Sequence, residues 1–150
     1  MSFFKKIAFP PFYFFSCIIS ILFFYLIIPE NNLLFFPYNI AGILIMFIGL
    51  FIIIKCTKYF NKNDTTLQNK QPTCFIKFGF YKYSRNPMYL GGLLFLFGLS
   101  IILANSISFT IPFLYFFIIN YICIPVEEQL MKERFMNEFI EYKKKVRRWI

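Results

Sequence analysis

Four long apolar runs, separated by shorter polar segments, set the pattern of hydrophobic and polar positions along this chain. The runs cover residues 7–28, 33–54, 87–104 and 106–126. A helix rises ~1.5 Å per residue, so about 20 residues cross the ~30 Å hydrocarbon core of a bilayer. Each run is long enough, the third only just, and in lipid its backbone must be hydrogen-bonded internally. The pattern predicts an all-α integral membrane protein with about four transmembrane helices.

A periodic polar segment follows the last apolar run. Its apolar and aromatic side chains recur at steps of four, four, three and four residues, at Met131, Phe135, Phe139, Tyr142 and Val146. This spacing predicts an amphipathic C-terminal helix. At ~100° per residue, Glu128 lies near the middle of its apolar face and Glu127 near the edge. At least one carboxylate then faces the apolar side, unless the pair only marks the helix start, where negative charge suits the dipole.

The segments together form one predicted membrane domain over residues 1–150. From the amino terminus it consists of two spans, a cytoplasmic loop, a helical hairpin turning near Asn105 and the amphipathic tail, over residues 1–54, 55–86, 87–126 and 127–150. Lys5 and Lys6 ahead of an apolar run also resemble the start of a signal peptide. That run is long and contains Pro10 and Pro11, so we expect it to be a retained span.

Basic residues fall on one side of the predicted membrane. Lys5 and Lys6 precede the first run, seven basic residues lie between the second and third runs, and seven follow the fourth. The connections at 29–32 and Asn105 contain none. The positive-inside rule therefore predicts a multi-pass protein with both termini in the cytoplasm. The net charge of +9 is spread between apolar runs, which indicates membrane lipid as a partner and no nucleic acid.

Composition excludes several kinds of chemistry. Residues of hydrophobic type make up 59% of the chain, more than a soluble domain of this length can bury. The chain has no histidine and no CxxC pair, so we expect no metal site and free thiols at Cys17, Cys56, Cys74 and Cys123. Ser-His-Asp triads, P-loops and GxGxxG motifs are likewise missing from the sequence. What remains is chemistry that a cofactor makes easy.

Two polar clusters at the borders of apolar runs are the candidates for that chemistry. One ends where the third run begins and contains Arg85 among three tyrosines; the other is Glu127 and Glu128. Such groups can form a site at the water–lipid boundary, with catalytic roles for Arg85, Glu127 and Glu128 and an active site facing the cytoplasm. Taken singly, Arg85 is better explained as a snorkelling anchor and the tyrosines as an interfacial belt, but the ordered set with Pro87 and Gly91 favours a functional role.

Methyl transfer from S-adenosylmethionine fits these residues. The methyl group is already activated, so the protein has only to align donor and acceptor and exclude water. An amine acceptor needs a base, which a desolvated glutamate can provide. The carboxylate, ammonium and adenine of the cofactor are complementary to Arg85, a glutamate and the tyrosines.

The chain resembles the isoprenylcysteine carboxyl methyltransferase family, a relative of the phospholipid N-methyltransferases, over about residues 65–150. The resemblance rests on an ordered set, Gly79-x-Tyr81-x-x-x-Arg85-Asn86-Pro87-Met88-Tyr89-x-Gly91, then Glu127-Glu128, then Phe135 and Tyr142. It implies a multi-span enzyme that uses S-adenosylmethionine, with a lipophilic acceptor arriving from the bilayer. It places Glu127 on the acceptor side and implies cofactor contacts for Thr73, Cys74, Phe75, Ile76, Tyr81, Asn86, Pro87, Met88 and Tyr89.

Four positions depart from the family pattern. Asn86 stands where the family often has histidine, and Cys123 where the isoprenylcysteine subgroup has arginine. Met136 replaces a glycine and Phe139 a tyrosine. These departures weaken isoprenylcysteine as the acceptor more than they weaken methyl transfer.

Two other functions compete with the methyltransferase. Membrane sterol reductases have a similar Arg-x-Pro-x-Tyr hairpin but bind a nicotinamide cofactor, and a non-catalytic membrane subunit needs no cofactor. The adjacent glutamates and the amphipathic tail favour the methyltransferase.

Overall fold

The computed structural model describes residues 10–28, 37–62 and 75–150. These residues form five α-helices, which are α1 (Pro10–Ile27), α2 (Ala41–Lys62), α3 (Pro87–Leu103), α4 (Thr110–Ile118) and α5 (Ile124–Lys145). Short 3-10 helices, Tyr38–Ile40 and Gly79–Lys82, lie before α2 and α3, and a π-helical turn, Ile119–Cys123, joins α4 to α5. The described ranges contain no β-strand, which confirms the predicted all-α fold.

Three helical stretches in the described part of the chain are long and apolar enough to cross a membrane. They are Pro10–Ile27, Ala41–Tyr59 and the continuous stretch Thr110–Lys145. The third predicted span, α3, has 17 residues and covers roughly 26 Å at ~1.5 Å per residue, slightly less than the hydrocarbon core. The predicted membrane class is confirmed, with α3 as the short member.

Glycines bring α2 and α3 together in the most extensive helix–helix interface of the structure. A Cβ atom built on Gly49 would lie 2.5 Å from the carbonyl oxygen of Gly91, and one on Gly42 would lie 2.5 Å from that of Gly98. No real side chain tolerates such distances, so the two backbones touch directly, as small residues allow in membrane helices. The glycines of α3 therefore serve helix packing.

The turn between α3 and α4 is built around Asn105. Ala104 ends α3 in the left-handed conformation, with φ of 54°. The Asn105 Oδ1 atom accepts hydrogen bonds from the backbone N–H groups of Ile107, at 3.1 Å, and Ser108, at 3.2 Å. Its Nδ2 atom donates to the carbonyl of Ile28 at 2.6 Å, which ties the end of α1 to the turn. The turn lies at the position where the sequence predicts the hairpin to reverse.

Two helices extend further than the apolar runs predict. Helix α2 continues past residue 54 to Lys62, so Lys55 and Lys58 lie on a helix and not in a loop. The predicted tail helix is not separate from the fourth span, because α4, the π turn and α5 are continuous. Pro125 has no N–H to donate, and the wider π turn lies directly before it.

The amphipathic tail has one irregular position. Met136 has φ of 28° and ψ of −106°, so α5 is kinked there. Beyond the kink, Phe139 and Tyr142 are buried, as predicted for the apolar face. Phe75, in the segment that precedes α3, contacts α5 on both sides of the kink, with ring centroids 5.2 Å from Phe135 and 5.9 Å from Phe139.

Two apolar clusters hold the helices and frame the polar residues between them. The larger joins α1, α3, α4 and the start of α5 through residues such as Ile21, Leu96 and Ile119. The smaller joins α2 to the Gly79–Lys82 turn through Ile52, Cys56, Ile76 and Tyr81. Both clusters border the first turn of α3, where the motif residues lie.

Candidate active site

The Gly79–Lys82 turn fixes the first motif tyrosine. Gly79 adopts φ of 63°, and a Cβ atom there would lie 2.5 Å from the ring of Tyr59, so glycine is required on both counts. Tyr81 is buried, and its carbonyl accepts a hydrogen bond from the Tyr142 hydroxyl at 2.6 Å. Burial, supported by the nearby Cys56 and Glu127, raises the pKa of Tyr81 well above its ordinary value. The hydroxyl of Tyr81 is therefore neutral and lies near Glu127.

Pro87 starts α3 and so determines where Arg85 and Asn86 lie. Proline suits the first helical position, because its missing N–H has no helical partner there. Asn86 precedes it in a non-helical conformation and makes no side-chain cap. Its Nδ2 atom instead donates to the carbonyl of Arg148 at 3.1 Å, and its backbone N–H donates to Ser84 Oγ at 3.1 Å.

Arg85 is a buried cation with several hydrogen-bond partners. Its Nη2 atom donates to Glu128 Oε1 at 2.8 Å, and its Nη1 atom donates to the carbonyls of Lys143 and Val146, both at 3.2 Å. Only 9% of its side chain is exposed. Its Nε atom is buried and has no hydrogen-bond partner. An unpaired buried donor is costly and is suited to a ligand acceptor.

Glu128 lies at the centre of three cations. Besides Arg85, Lys143 Nζ lies 3.1 Å and Arg148 Nη2 lies 3.3 Å from its Oε2 atom. The side chain of Glu128 is 13% exposed, so these pairs are partly shielded from water. Three positive charges around one carboxylate favour its ionised form.

Glu127 faces the other way, toward the first turn of α3. It accepts a hydrogen bond from the hydroxyl of Tyr89, which is 7% exposed. Tyr89 lies among the buried residues of the larger apolar cluster. The two glutamates therefore have different surroundings: Glu128 lies among cations, and Glu127 lies against the apolar core.

The remaining predicted cofactor residues fall into three groups. Phe75 contacts Tyr142 edge to face at 5.1 Å, and Ile76 is buried in the smaller apolar cluster. Met88 is half-buried, with its sulfur 4.0 Å from Thr57 Oγ1 on α2. Thr73 and Cys74 lie outside the described residues. The cofactor contacts predicted for all of these residues stay predictions.

Comparison with known proteins decides the family. The chain matches the phospholipid methyltransferase family over residues 38–138, well over half of its 150 residues. The chain belongs to the phospholipid methyltransferase family. It is also similar to an uncharacterized protein of Haemophilus influenzae, with 36% identity over 63 residues that cover 42% of this chain and 100% of that protein. No solved structure matches it.

Family membership confirms the resemblance predicted from the motifs and supports a membrane methyltransferase in general. In this phospholipid methyltransferase family member, the matched region includes Arg85, Asn86, Tyr89 and both glutamates. It ends before Tyr142, whose hydroxyl donates to the Tyr81 carbonyl, and before Arg148, which pairs with Glu128.

The basic run from Lys143 to Arg148 begins in the last turn of α5 and ends beyond it. In the structure Lys143 and Arg148 pair with Glu128, and Trp149 Nε1 donates to Asn120 Oδ1 at 3.1 Å. The sequence pattern predicts none of these contacts, because those of Arg148 and Trp149 depend on the course of the chain after α5.

A cavity of about 250 Å³ lies beside this cluster, on the outer side of Tyr142. It is lined by Lys77, Lys82, Glu138, Glu141, Tyr142, Lys145 and Val146, none of which was predicted to bind cofactor. None of Arg85, Glu127 and Glu128 lines it.

Proposed function

We propose that this phospholipid methyltransferase family member transfers a methyl group from S-adenosylmethionine to a lipophilic acceptor that arrives from the bilayer. The observation that carries the proposal is the meeting of Arg85 with Glu128, beside the pair of Tyr89 and Glu127, at the border of the apolar helices. The first pair is cationic and polar, and the second borders the apolar core. Such a junction suits a polar cofactor on one side and a lipid on the other.

The residues present fit the proposed cofactor. The buried, unpaired Nε–H of Arg85 is a donor for a ligand carboxylate, and charge-assisted bonds of this kind are the strong ones. Glu128 is an ionised acceptor for an ammonium group, and Asn86 offers an amide that both donates and accepts. The aromatic group of Phe75, Phe135 and Tyr142 provides ring faces for an adenine.

S-adenosylmethionine, when bound, supplies a methyl group that its sulfonium charge has already activated. The task of the protein is to orient the acceptor and to exclude water. Glu127, partly buried and fixed by Tyr89, is placed to take a proton from an acceptor that carries one. Glu128 is tied to three cations, so we assign it to binding and not to proton transfer.

The acceptor that the geometry favours is a lipophilic amine. The resemblance implied an isoprenylcysteine-like acceptor, whose carboxylate needs a cation near Glu127. Cys123 stands at the position of that cation, is fully buried and carries a neutral thiol. A carboxylate acceptor would be left unpaired there, whereas the proton of an amine suits Glu127.

The orientation in the membrane follows the basic residues and belongs to the proposal. We place residues 1–6 and 127–150, and with them the site, on the cytoplasmic side. Membrane lipid surrounds the exposed apolar faces, such as Leu26 on α1 and Leu44 on α2.

The test is transfer of labelled methyl groups in reconstituted vesicles. Purified protein in vesicles of phosphatidylcholine receives methyl-labelled S-adenosylmethionine together with phosphatidylethanolamine, a farnesylcysteine peptide or no added acceptor. We expect label in the ethanolamine lipid fraction. Label in the peptide would show that the acceptor is not an amine, although the protein would still be a methyltransferase. If calorimetry shows that the folded protein does not bind the cofactor, the proposed function itself is wrong.

A further inference from the structure

Residues 146–150, here called the closing segment, lie across the donors of the candidate site. The Arg85 backbone N–H donates to the carbonyl of Arg147 at 3.0 Å, and its Nη1 atom donates to that of Val146 at 3.2 Å. The carbonyl of Arg148 accepts from Asn86 Nδ2 at 3.1 Å and from Ser84 Oγ at 3.4 Å. Carbonyls of the closing segment thus occupy Asn86 Nδ2, which is assigned above to the cofactor, and Arg85 Nη1, which neighbours the unpaired Nε–H.

A second set of contacts fastens the closing segment to the membrane helices. Asn120, in the π turn before α5, accepts hydrogen bonds from Arg148 Nη1 at 3.3 Å and from Trp149 Nε1 at 3.1 Å. The Trp149 ring lies 4.9 Å from the ring of Phe116, tilted by 34°. We call Asn120 and Trp149 the latch. The latch residues make none of the contacts assigned to cofactor or acceptor.

Arg85 is almost fully buried in the closed arrangement. With the segment in place, 9% of the Arg85 side chain is exposed. The Nε–H of this guanidinium is free for a ligand carboxylate, but a ligand that also binds Nη1 or the amide of Asn86 has to replace carbonyls of the closing segment. Ligand and closing segment therefore compete for the same donors, and Arg148 competes in the same way for Glu128.

We propose that the closing segment is an autoinhibitory gate, which opens to admit the cofactor and whose closed state is stabilised by the latch. This inference rests on the proposed function, because it assigns regulation to the same site. The apparent affinity for a ligand that binds only the open form is the intrinsic affinity multiplied by the open fraction. A weaker latch therefore gives tighter cofactor binding, which is the opposite of what loss of a supporting contact would do.

The first test needs no ligand. Trp149 is the only tryptophan in the chain, so its fluorescence reports on the latch alone. Asn120→Ala removes both latch hydrogen bonds, and we expect acrylamide to quench Trp149 several-fold more efficiently in this variant than in the wild-type protein. Tyr121→Phe, a change at the neighbouring exposed residue of the same turn, is the matched control and should quench like wild type. Equal quenching of Asn120→Ala and wild type would overturn the latch.

The second test measures binding of S-adenosylhomocysteine by titration calorimetry. Loss of two hydrogen bonds should raise the affinity of Asn120→Ala by up to about tenfold, provided the closed form predominates. Asn120→Asp places a carboxylate opposite Arg148, strengthens the latch and should lower the affinity. Opposite signs in the two variants support the gate. Weaker binding by both, or unchanged binding by Asn120→Ala when its quenching has risen, would overturn it.

The two tests separate this inference from the proposed function. If no variant binds the cofactor analogue although all are folded, the proposed function fails, and the quenching data still decide whether the latch exists. If wild type binds and the variants do not differ, the proposed function stands and the gate is wrong.

Discussion

The hydroxyl of Tyr89 donates a hydrogen bond to the carboxylate of Glu127, which joins the first turn of α3 to the first turn of α5. A proline near the start of each helix positions the partner on it. Pro87 is the first residue of α3 and precedes Tyr89, and Pro125 is the second residue of α5 and precedes Glu127. The pair therefore fixes the distance between two helix starts at the border of the apolar core. It holds the carboxylate to which we assign proton transfer.

Glu127→Gln should remove most of the turnover and leave cofactor binding intact. Glutamine has nearly the same shape but cannot take a proton, and a positioned base contributes roughly 10²–10⁴-fold to rate. Tyr89→Phe removes only the hydrogen bond and should lower turnover by about tenfold. Methyl transfer from labelled cofactor measures turnover, and calorimetry with S-adenosylhomocysteine measures cofactor binding. Glu133→Gln, the same change at an exposed site on α5, is the control. Wild-type turnover in Glu127→Gln would contradict the assignment.

Arg85→Lys should weaken cofactor binding although it keeps the charge. The guanidinium donates to Glu128 and to two carbonyls at once and still has a buried Nε–H, which a lysine ammonium cannot reproduce. Hydrogen bonds to charged groups contribute ~1.5–3 kcal/mol, so the dissociation constant should rise roughly 10- to 100-fold. Calorimetry measures it. Arg147→Lys, the same change at an exposed residue, should bind as wild type does, and equal effects of the two changes would refute a special role for Arg85.

Apolar run length was sufficient to predict the helices, because lipid permits few other structures. The runs located α1, α3 and the Asn105 turn closely. They failed at the end of α2 and at the start of the tail. Helix propensity and packing carry a helix beyond the residues that face lipid, so hydropathy marks the membrane and not the end of the helix.

The candidate site was predictable only as far as local motifs reach. The order of Arg85, Pro87 and Tyr89 at a helix start, with two glutamates after the last run, was enough to predict that the clusters meet. The pairing of Glu128 with Arg148 was not predictable, because it depends on the course of the chain after α5 ends at Lys145. The same holds for Asn120, which in the sequence is a lone amide within an apolar run.

Gly49→Ala should destabilise the protein more than a lipid-facing change of similar size. The new Cβ atom would lie 2.5 Å from the Gly91 carbonyl, so α2 and α3 would have to separate. Overpacking of this kind costs ~1–3 kcal/mol. Thermal unfolding in one detergent measures the loss. Leu44→Ala, at a site on α2 that is 67% exposed, is the control and should have little effect. A Gly49→Ala variant as stable as wild type would show that the interface tolerates expansion.

Met136→Gly should stabilise the protein, which is unusual for a glycine placed within a helix. Met136 has φ of 28°, a region where an L side chain is strained by ~1–3 kcal/mol and glycine is not. Its side chain is 67% exposed, so the change removes little packing. Glycine also loses more backbone entropy on folding, by ~0.5–1 kcal/mol, and the expected net gain is therefore about 1 kcal/mol. Asn137→Gly, one residue on and in regular helical conformation, should instead be destabilising. Thermal unfolding of both variants in the same detergent gives the comparison, and a lower Tm for Met136→Gly would mean that the kink is not strained.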